Sequence, residues 1–265
     1  MAGRVIKLRL TVVIAIGALL FTGCERFKKL IGVDEEPSSK QEVTILVTGQ
    51  SNGASPAQDH PPYWSQTGRV WVEDFYSDHG AGRGLVLPTM DKPVRSNVSW
   101  LYMGDELVRR FGFQKVTIIN RSCPGSNSRR ILEAYSDWIA DGQRAHHPDF
   151  VLWIQGESDY HDNFPTDETV FNMTAIIQKA GGRWIVARNA CRDLSSGKPW
   201  LGSPERVLNA QRRVIRSGLA VQGPDLQPLK NDDRYADVEG AEFFGEGLRA
   251  HGLAWFNVLE DLLER

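Results

Sequence analysis

Ser51 stands in a short polar turn between two glycines, directly after an apolar segment. That segment, Val43 to Val47, is uncharged and rich in β-branched residues, which predicts a strand buried on both faces of a parallel sheet. Ligands bind at the C-terminal edge of such sheets, and Gly49 and Gly53 would permit a tight turn that lifts a hydroxyl clear of it. Ser51 is therefore a candidate nucleophile. The alternative is a turn in which Ser51 and Asn52 only cap the next helix.

The turn also fits the pattern G-x-S-x-G, the nucleophile elbow of α/β-hydrolases. In that fold several strands precede the serine and supply part of the oxyanion hole. Here Ser51 follows the first predicted strand of the domain, so chain order excludes the α/β-hydrolase assignment.

Two further polar segments follow two later predicted strands. One contains Gly125 and Asn127, and the other contains Gln155 and Glu157. Acyl transfer needs a hydroxyl nucleophile, amide donors for the oxyanion and a carboxylate that orients the base. The turn of Ser51 and these two segments together offer all three. The alternative for Gln155 and Glu157 is a surface loop that caps a helix.

Alternating strands and helices are predicted to bring these segments to one edge of a sheet. The strands after the first are 116–119, 150–154 and 184–187, with a short one at 70–72; the helices are 99–111, 167–179, 204–217 and 246–263. This alternation predicts a three-layer α/β/α domain with a central parallel sheet and right-handed crossovers.

The chain begins with a segment that resembles a bacterial lipoprotein signal. A basic start is followed by an apolar stretch from Leu10 to Phe21 and by small residues before Cys24. This predicts a signal peptide at 1–23, a lipid-modified Cys24, a tether at 24–41 and a single domain at 42–265. The predicted protein is exported and membrane-anchored, in the periplasm or at the cell surface. The alternative is a buried N-terminal helix with an incidental cysteine.

Charge and cysteine content limit the other classes of function. The formal net charge of −2, with scattered basic residues, gives no reason to expect nucleic-acid binding. No Cys/His cluster has metal-ligand spacing, and His146 and His147 are expected in a solvated loop, so we expect neither a metal nor a cofactor. Cys123 and Cys191 could form a disulfide or remain free.

Four motifs together resemble the sialate O-acetylesterase-like branch of the SGNH hydrolases. They are TGQSN, PGSNS, WIQGESD and GEGLRAHGLAW, and the similarity extends from Val43 to the C-terminus. The resemblance implies a flavodoxin-like α/β/α fold, a serine esterase mechanism without a metal, and acetylated carbohydrate substrates. It also implies that Ser51 is the nucleophile and that Gly125 and Gln155 serve the oxyanion hole. Glu157 would orient the base or contact substrate, and Asn52 and Asn127 would lie at the same site.

The chain departs from this family at the general base. Members carry an Asp-Gly-x-His-Phe run before the last helix, whereas the run here is Glu239-Gly240-Ala241-Glu242-Phe243. Glu242 therefore takes the place of the histidine. A carboxylate with an ordinary pKa is a weaker base than imidazole, although burial could raise its pKa. His161 is the best-placed alternative base, while His251 is expected to face solvent or pack against the sheet.

Two classes of function remain open on the sequence. The first is an esterase that removes acetyl groups from carbohydrate through an acyl-Ser51 intermediate, with Glu242 or His161 as base. The second is a weakened or inactive relative that binds acetylated glycan. Acetyl transfer to a polysaccharide would use the same parts and is a third alternative.

Overall fold

A computed structural model describes residues 41–55, 63–73, 85–94, 96–194, 197–198 and 201–265. The predicted signal peptide at 1–23, Cys24 and the tether, apart from Gln41, lie outside the described residues. No helix in the described ranges has the length and apolar character needed to cross a bilayer.

Seven strands in the described part of the chain form one sheet. They are β1 (Glu42–Gly49), β2 (Val70–Glu73), β3 (Leu85–Val86), β4 (Lys115–Ser122), β5 (Phe150–Ile154), β6 (Trp184–Arg188) and β7 (Val221–Asp225). Their order across the sheet is β3-β2-β4-β1-β5-β6-β7, and every pair is parallel except the edge pair β2–β3. Because β1 lies between β4 and β5, the segments that follow these three strands are neighbours.

Helices connect the strands and cover the sheet. They are α1 (Ser51–Ala54), α2 (Val98–Phe111), α3 (Ser128–Arg130), α4 (Ser136–His146), α5 (Glu157–His161), α6 (Thr166–Ala180), α7 (Pro204–Arg216), α8 (Gln227–Lys230) and α9 (Glu246–Leu263). A π-helical turn, Ile131–Tyr135, joins α3 to α4.

Two apolar layers lie on opposite faces of the sheet. In β1 the side chains of Ile45 and Val47 belong to a core shared with α2 and α9, whereas Leu46 belongs to a core shared with α4 and α6. This alternation follows from the two-residue repeat of a strand that is covered on both faces. The predicted three-layer α/β/α architecture is confirmed.

The differences from the predicted elements are local. β7 and the helical stretch from Ser128 to His146 are additional to the predicted elements, and the β2–β3 edge is antiparallel. His146 ends α4 and, like His147, is exposed to solvent. Cys123 and Cys191 are free thiols, both buried.

Candidate active site

The end of β1 presses against the end of β5. A Cβ at Gly49 would lie 1.9 Å from the carbonyl oxygen of Ile154, and the φ of Gly49 is +126°, so only glycine fits there. The Gln50 N–H donates to the same Ile154 oxygen (2.9 Å), and the Gln50 side-chain oxygen accepts from the N–H and the hydroxyl of Ser158. These contacts hold the turn that carries Ser51 against the start of α5.

The Ser51 hydroxyl donates a hydrogen bond to a carboxylate oxygen of Glu242. The pKa of Glu242 is raised to about 7. Burial is the main cause, and the negative charges of Glu157 and Asp237 also raise it. The bond from Ser51 and the positive charge of Lys230 act in the opposite direction. A carboxylate with a pKa near neutrality is a stronger base than an ordinary glutamate and remains partly ionised at pH 7.

The loop before α9 holds Glu242 by its backbone. Asp237 donates its N–H to the Glu242 carbonyl oxygen (3.0 Å) and accepts the Ala241 N–H with its carboxylate (2.7 Å). A β-bridge between Ala236 and Phe243 closes the loop. The Glu242 side chain therefore projects from a turn whose two sides are bonded to each other.

Asn52, which follows the serine, binds both neighbours of Glu242. Its side-chain N–H group donates to the Ala241 carbonyl oxygen (2.6 Å), and its side-chain oxygen accepts the Phe243 N–H (3.1 Å). These bonds couple the turn after β1 to the loop before α9 on both sides of the Ser51–Glu242 contact.

Glu157 and Lys230 form a buried ion pair beside that contact. The Lys230 Nζ lies 2.7 Å from Glu157 Oε1, and the two side chains are 0% and 2% exposed. Glu157 Oε1 also accepts from Asn52 (2.6 Å), and the Lys230 ammonium donates to the Ala241 carbonyl oxygen (2.6 Å). Glu157 thus meets the loop of Glu242 through Asn52 and Lys230.

The segment after β4 lies beside the serine turn. The Cys123 N–H donates to the Gly49 carbonyl oxygen (2.8 Å), which extends the pairing of β4 with β1. Two residues later, Gly125 has a φ of +68°, and a Cβ there would meet nothing within 4 Å. The backbone at Gly125 therefore borders open space.

Asn127 and Asp159 fix the rest of this segment. The Asn127 oxygen caps α3 by accepting the Arg130 N–H (2.8 Å), and its side-chain N–H group donates to Asp162 (2.6 Å). Asp159 accepts the N–H of Ser128 (2.7 Å). The Asn127 amide is therefore engaged in holding the loop that carries Gly125.

Gln155 is buried at the end of β5. Its carbonyl oxygen accepts a hydrogen bond from Gln211 of α7 (2.9 Å). Burial raises the pKa of Asp159, and the Gln155 side chain is among the neighbours that lower it. The Gln155 amide lies near Asp159 but makes no hydrogen bond of ordinary geometry within the described residues.

His161 contacts a different set of residues. Its Nε2 lies 3.6 Å from the Cys191 sulfur and 3.7 Å from Glu239 Oε2. Glu239, which stands in the family's acidic position, also pairs with Lys198 (2.8 Å). Of the two candidate bases, His161 and Glu242, Glu242 is the one bonded to Ser51.

His251 is fully buried, so the alternative that it faces solvent is wrong. Its Nδ1 lies 3.1 Å from the Ser99 hydroxyl of α2, and its Nε2 accepts from the Trp255 indole (3.1 Å). Its ring stacks on Phe243 at 4.6 Å, and burial lowers its pKa to about 3. His251 is thus a neutral packing residue behind the loop of Glu242.

Lys230 also lies at the site, although its place in the sequence does not indicate this. It lies among the charged residues of the stretch 230–234, which is typical of a solvated loop. No group of three or more His, Cys, Asp or Glu side chains suited to a metal ion occurs in the described part of the chain. The arrangement instead supplies a hydroxyl, a carboxylate with a raised pKa and nearby backbone amides, which are the parts of an acyl-transfer site.

Comparisons by sequence return no match, either to a family model or to a curated protein. Solved structures do match. A protein from Arabidopsis thaliana is 15% identical with a TM-score of 0.56, and the match covers 83% of this chain and 98% of the other.

Two esterases give comparable matches. A carbohydrate acetylesterase from Xanthomonas citri is 16% identical with a TM-score of 0.57, covering 81% of this chain and 55% of that enzyme. A variant of an acetyl-xylooligosaccharide esterase from Geobacillus stearothermophilus is 12% identical with a TM-score of 0.51, covering 84% of this chain and 94% of the other. At these identities the comparisons establish the fold alone, which this chain shares with the two esterases.

Proposed function

We propose that this protein is a serine esterase that removes O-acetyl groups from carbohydrate. The observation that carries the proposal is the hydrogen bond from the Ser51 hydroxyl to Glu242, a carboxylate whose pKa is raised to about 7. A hydroxyl already bonded to a base of suitable pKa is the arrangement that nucleophilic catalysis requires.

In the proposed acylation step, Ser51 Oγ attacks the acetyl carbonyl carbon while Glu242 accepts the hydroxyl proton. The protonated Glu242 then gives that proton to the departing sugar oxygen as the ester bond breaks. In deacylation Glu242 takes a proton from water, and the hydroxide attacks the carbonyl carbon of the acetyl-serine. As the bond to Ser51 Oγ breaks, Glu242 returns its proton to Oγ. Acetic acid leaves and loses its proton to solvent. Atoms and charge balance over the cycle without a further reactant.

The oxyanion of each tetrahedral intermediate needs donors on the opposite side from the base. We assign this role to the N–H groups of Ser51 and Gly125, with Gln155 as a third donor. The open space at Gly125 and its place beside Gly49 support the assignment of its N–H. Asn127 positions the Gly125 loop in this proposal, through its cap on α3 and its bond to Asp162.

The substrate class rests on two lines of support. The GQSN and QGESD motifs resemble the sialate O-acetylesterase-like branch, and two structures of the same fold belong to enzymes described as a carbohydrate acetylesterase and an acetyl-xylooligosaccharide esterase. We therefore assign acetylated sugars as substrates, with O-acetylated sialic acid and acetylated xylo-oligosaccharides as the first two to compare.

The test is acetate release by the purified protein from 4-nitrophenyl acetate and from the two acetylated sugars. Wild type should turn over, while Ser51→Ala and Glu242→Gln should each lose about a thousandfold or more in kcat/KM. Exposed Ser217→Ala at the end of α7 is the matched serine control and should keep full activity. If wild type and Ser51→Ala are equally inactive on all three, the protein is a binding relative and the esterase proposal is wrong.

The N-terminal segment extends the proposal to location. Removal of residues 1–23 and lipid attachment to Cys24 would anchor the enzyme to a membrane, with 24–41 as the tether. Fatty-acid incorporation by wild type, and its loss in Cys24→Ala, would support this. Labelling that persists in Cys24→Ala would contradict it.

A further inference from the structure

The buried Lys230–Glu157 ion pair has no obvious value for stability. Replacing such a pair by apolar residues of similar size is often neutral or stabilising, because two charges must be taken out of water. Here both side chains are essentially inaccessible to solvent. A buried pair next to a candidate base therefore needs an explanation in terms of that base.

The three directions in which the Lys230 ammonium can interact are all occupied. It lies 2.7 Å from Glu157 Oε1, 2.6 Å from the Ala241 carbonyl oxygen and 4.4 Å from the centroid of the Phe243 ring. Ala241 and Phe243 are the two neighbours of Glu242. The ammonium therefore holds both sides of the residue that accepts the Ser51 proton, and it has no lone pair with which to act as a base itself.

We infer that the Lys230–Glu157 pair is the positioning and charge-setting partner of the Glu242 base. This rests on the proposed function. In a Ser-His-Asp triad, the carboxylate orients the histidine and stabilises its charge. The Lys230–Glu157 pair has the corresponding role here: it fixes the position of the Glu242 side chain and sets its charge. Lys230 is a positioning residue here, because it acts through Glu242 and not on the substrate.

The charges that face Glu242 decide whether its carboxyl is ionised more or less readily. They come from Lys230 at the end of α8, Glu157 at the start of α5 and Asp237 on its own loop, while the Ser51 hydroxyl lies opposite. His251, behind Phe243, remains neutral in the buried core. Lys230 favours the ionised carboxylate and Glu157 opposes it, so the two halves of the pair should act with opposite sign.

The experiment is the pH profile of kcat/KM for wild type, Lys230→Met, Glu157→Gln and the double variant. Lys230→Met should move the acid limb up by about one pH unit or more, with at least about a fivefold loss at pH 7. Glu157→Gln should move the limb down and lower the plateau, because a more acidic carboxyl is a weaker base. The double variant should return the limb towards its position in wild type.

Opposite shifts distinguish this inference from a structural role. If the pair only maintained packing, both single variants would lower the rate and leave the limb in place, and that result would overturn the inference. Glu157→Gln keeps size and hydrogen bonding, and the double variant leaves no unpaired charge, so both remain informative if Lys230→Met does not fold. Circular dichroism establishes which variants are folded.

A second measurement separates this inference from the proposed function. Infrared difference spectra of each protein against its Glu242→Gln counterpart follow the protonated carboxyl with pH and need no turnover. If wild type is inactive but the titration of the Glu242 carboxyl shifts in opposite directions in Lys230→Met and Glu157→Gln, the esterase proposal is wrong. The pair would still be the element that sets the charge of Glu242. Unshifted carboxyl titration would reject the pair, whether or not wild type is active.

Discussion

Ser51 and Glu242 meet through a hydrogen bond although they are 191 residues apart in the chain. Ser51 follows β1 and Glu242 lies in the loop before α9, so the two side chains meet only when the whole domain has folded. The consequence of this contact is that the side chain facing the candidate nucleophile is a carboxylate, at the position where the family that the motifs resemble carries a histidine. Burial compensates for the change of residue type, because it raises the pKa of Glu242 to about 7.

The first prediction concerns pH. Since Glu242 must be ionised to accept a proton and its pKa is raised to about 7, kcat/KM should rise about tenfold per pH unit below 7 and level off above it. His161→Gln, which alters the histidine near Cys191 and Glu239, should keep both the limb and the plateau. A limb that disappears in His161→Gln would assign the base to the histidine instead.

The second prediction concerns Asn52. Asn52→Ala removes the bonds to Ala241 and Phe243 that hold Glu242 opposite Ser51, so kcat should fall about 10- to 100-fold with a smaller change in KM. Asn172→Ala is the matched control, because Asn172 is also buried and bonded, to the Ser128 hydroxyl. The control should lose stability and keep kcat. Equal loss of kcat in Asn52→Ala and Asn172→Ala would show that general destabilisation, and not the position of Glu242, causes the loss.

Local patterns in the sequence are sufficient to predict the fold and to identify Ser51 as a candidate nucleophile. Buried parallel strands are short apolar runs, and β1 and β5 are such runs, so their ends and the polar residues after them can be located. β7 could not be found this way, because its sequence VQGPD contains glycine and proline and three of its five residues are exposed at the sheet edge. The π-helical turn before α4 likewise interrupts the regular apolar repeat that predicts a helix.

The partners of the base could not be predicted from the sequence. Lys230 stands next to Asn231, Asp232 and Asp233, and charged runs of this kind are typical of solvent-exposed loops. Its burial follows from the packing of α8 against the loop of Glu242, which depends on contacts between distant segments. The same holds for Asn52, whose partners lie 189 and 191 residues away.

The third prediction is a gain of stability on removing the charge of Glu242. Its carboxyl has a pKa of about 7 in the folded protein and the ordinary value of 4.5 when unfolded, so the native state keeps a proton that the unfolded state has lost. The free energy of unfolding therefore falls as pH rises from 4.5 to 7. Glu242→Gln should be more stable than wild type above pH 7, by on the order of 3 kcal/mol at most, and equal to it below pH 4.5.

Thermal unfolding followed by circular dichroism at pH 4 and pH 8 measures this difference. Glu246→Gln, at an exposed position at the start of α9, is the control and should change the melting temperature equally little at both pH values. A Glu242→Gln variant that is less stable than wild type at pH 8 would show that the carboxylate is stabilised in the fold, contrary to the raised pKa.

The fourth prediction concerns restoring the histidine. Glu242→His should be less active than wild type, because an imidazole needs a carboxylate on the nitrogen that faces away from the serine. Glu239, in the family's acidic position, is paired with Lys198 and lies near His161, and the neighbouring ammonium of Lys230 is bonded to Glu157 and Ala241. Glu239 is therefore engaged elsewhere and would not orient an imidazole at residue 242. Turnover of 4-nitrophenyl acetate above that of wild type would contradict this and identify the natural protein as a lapsed histidine enzyme.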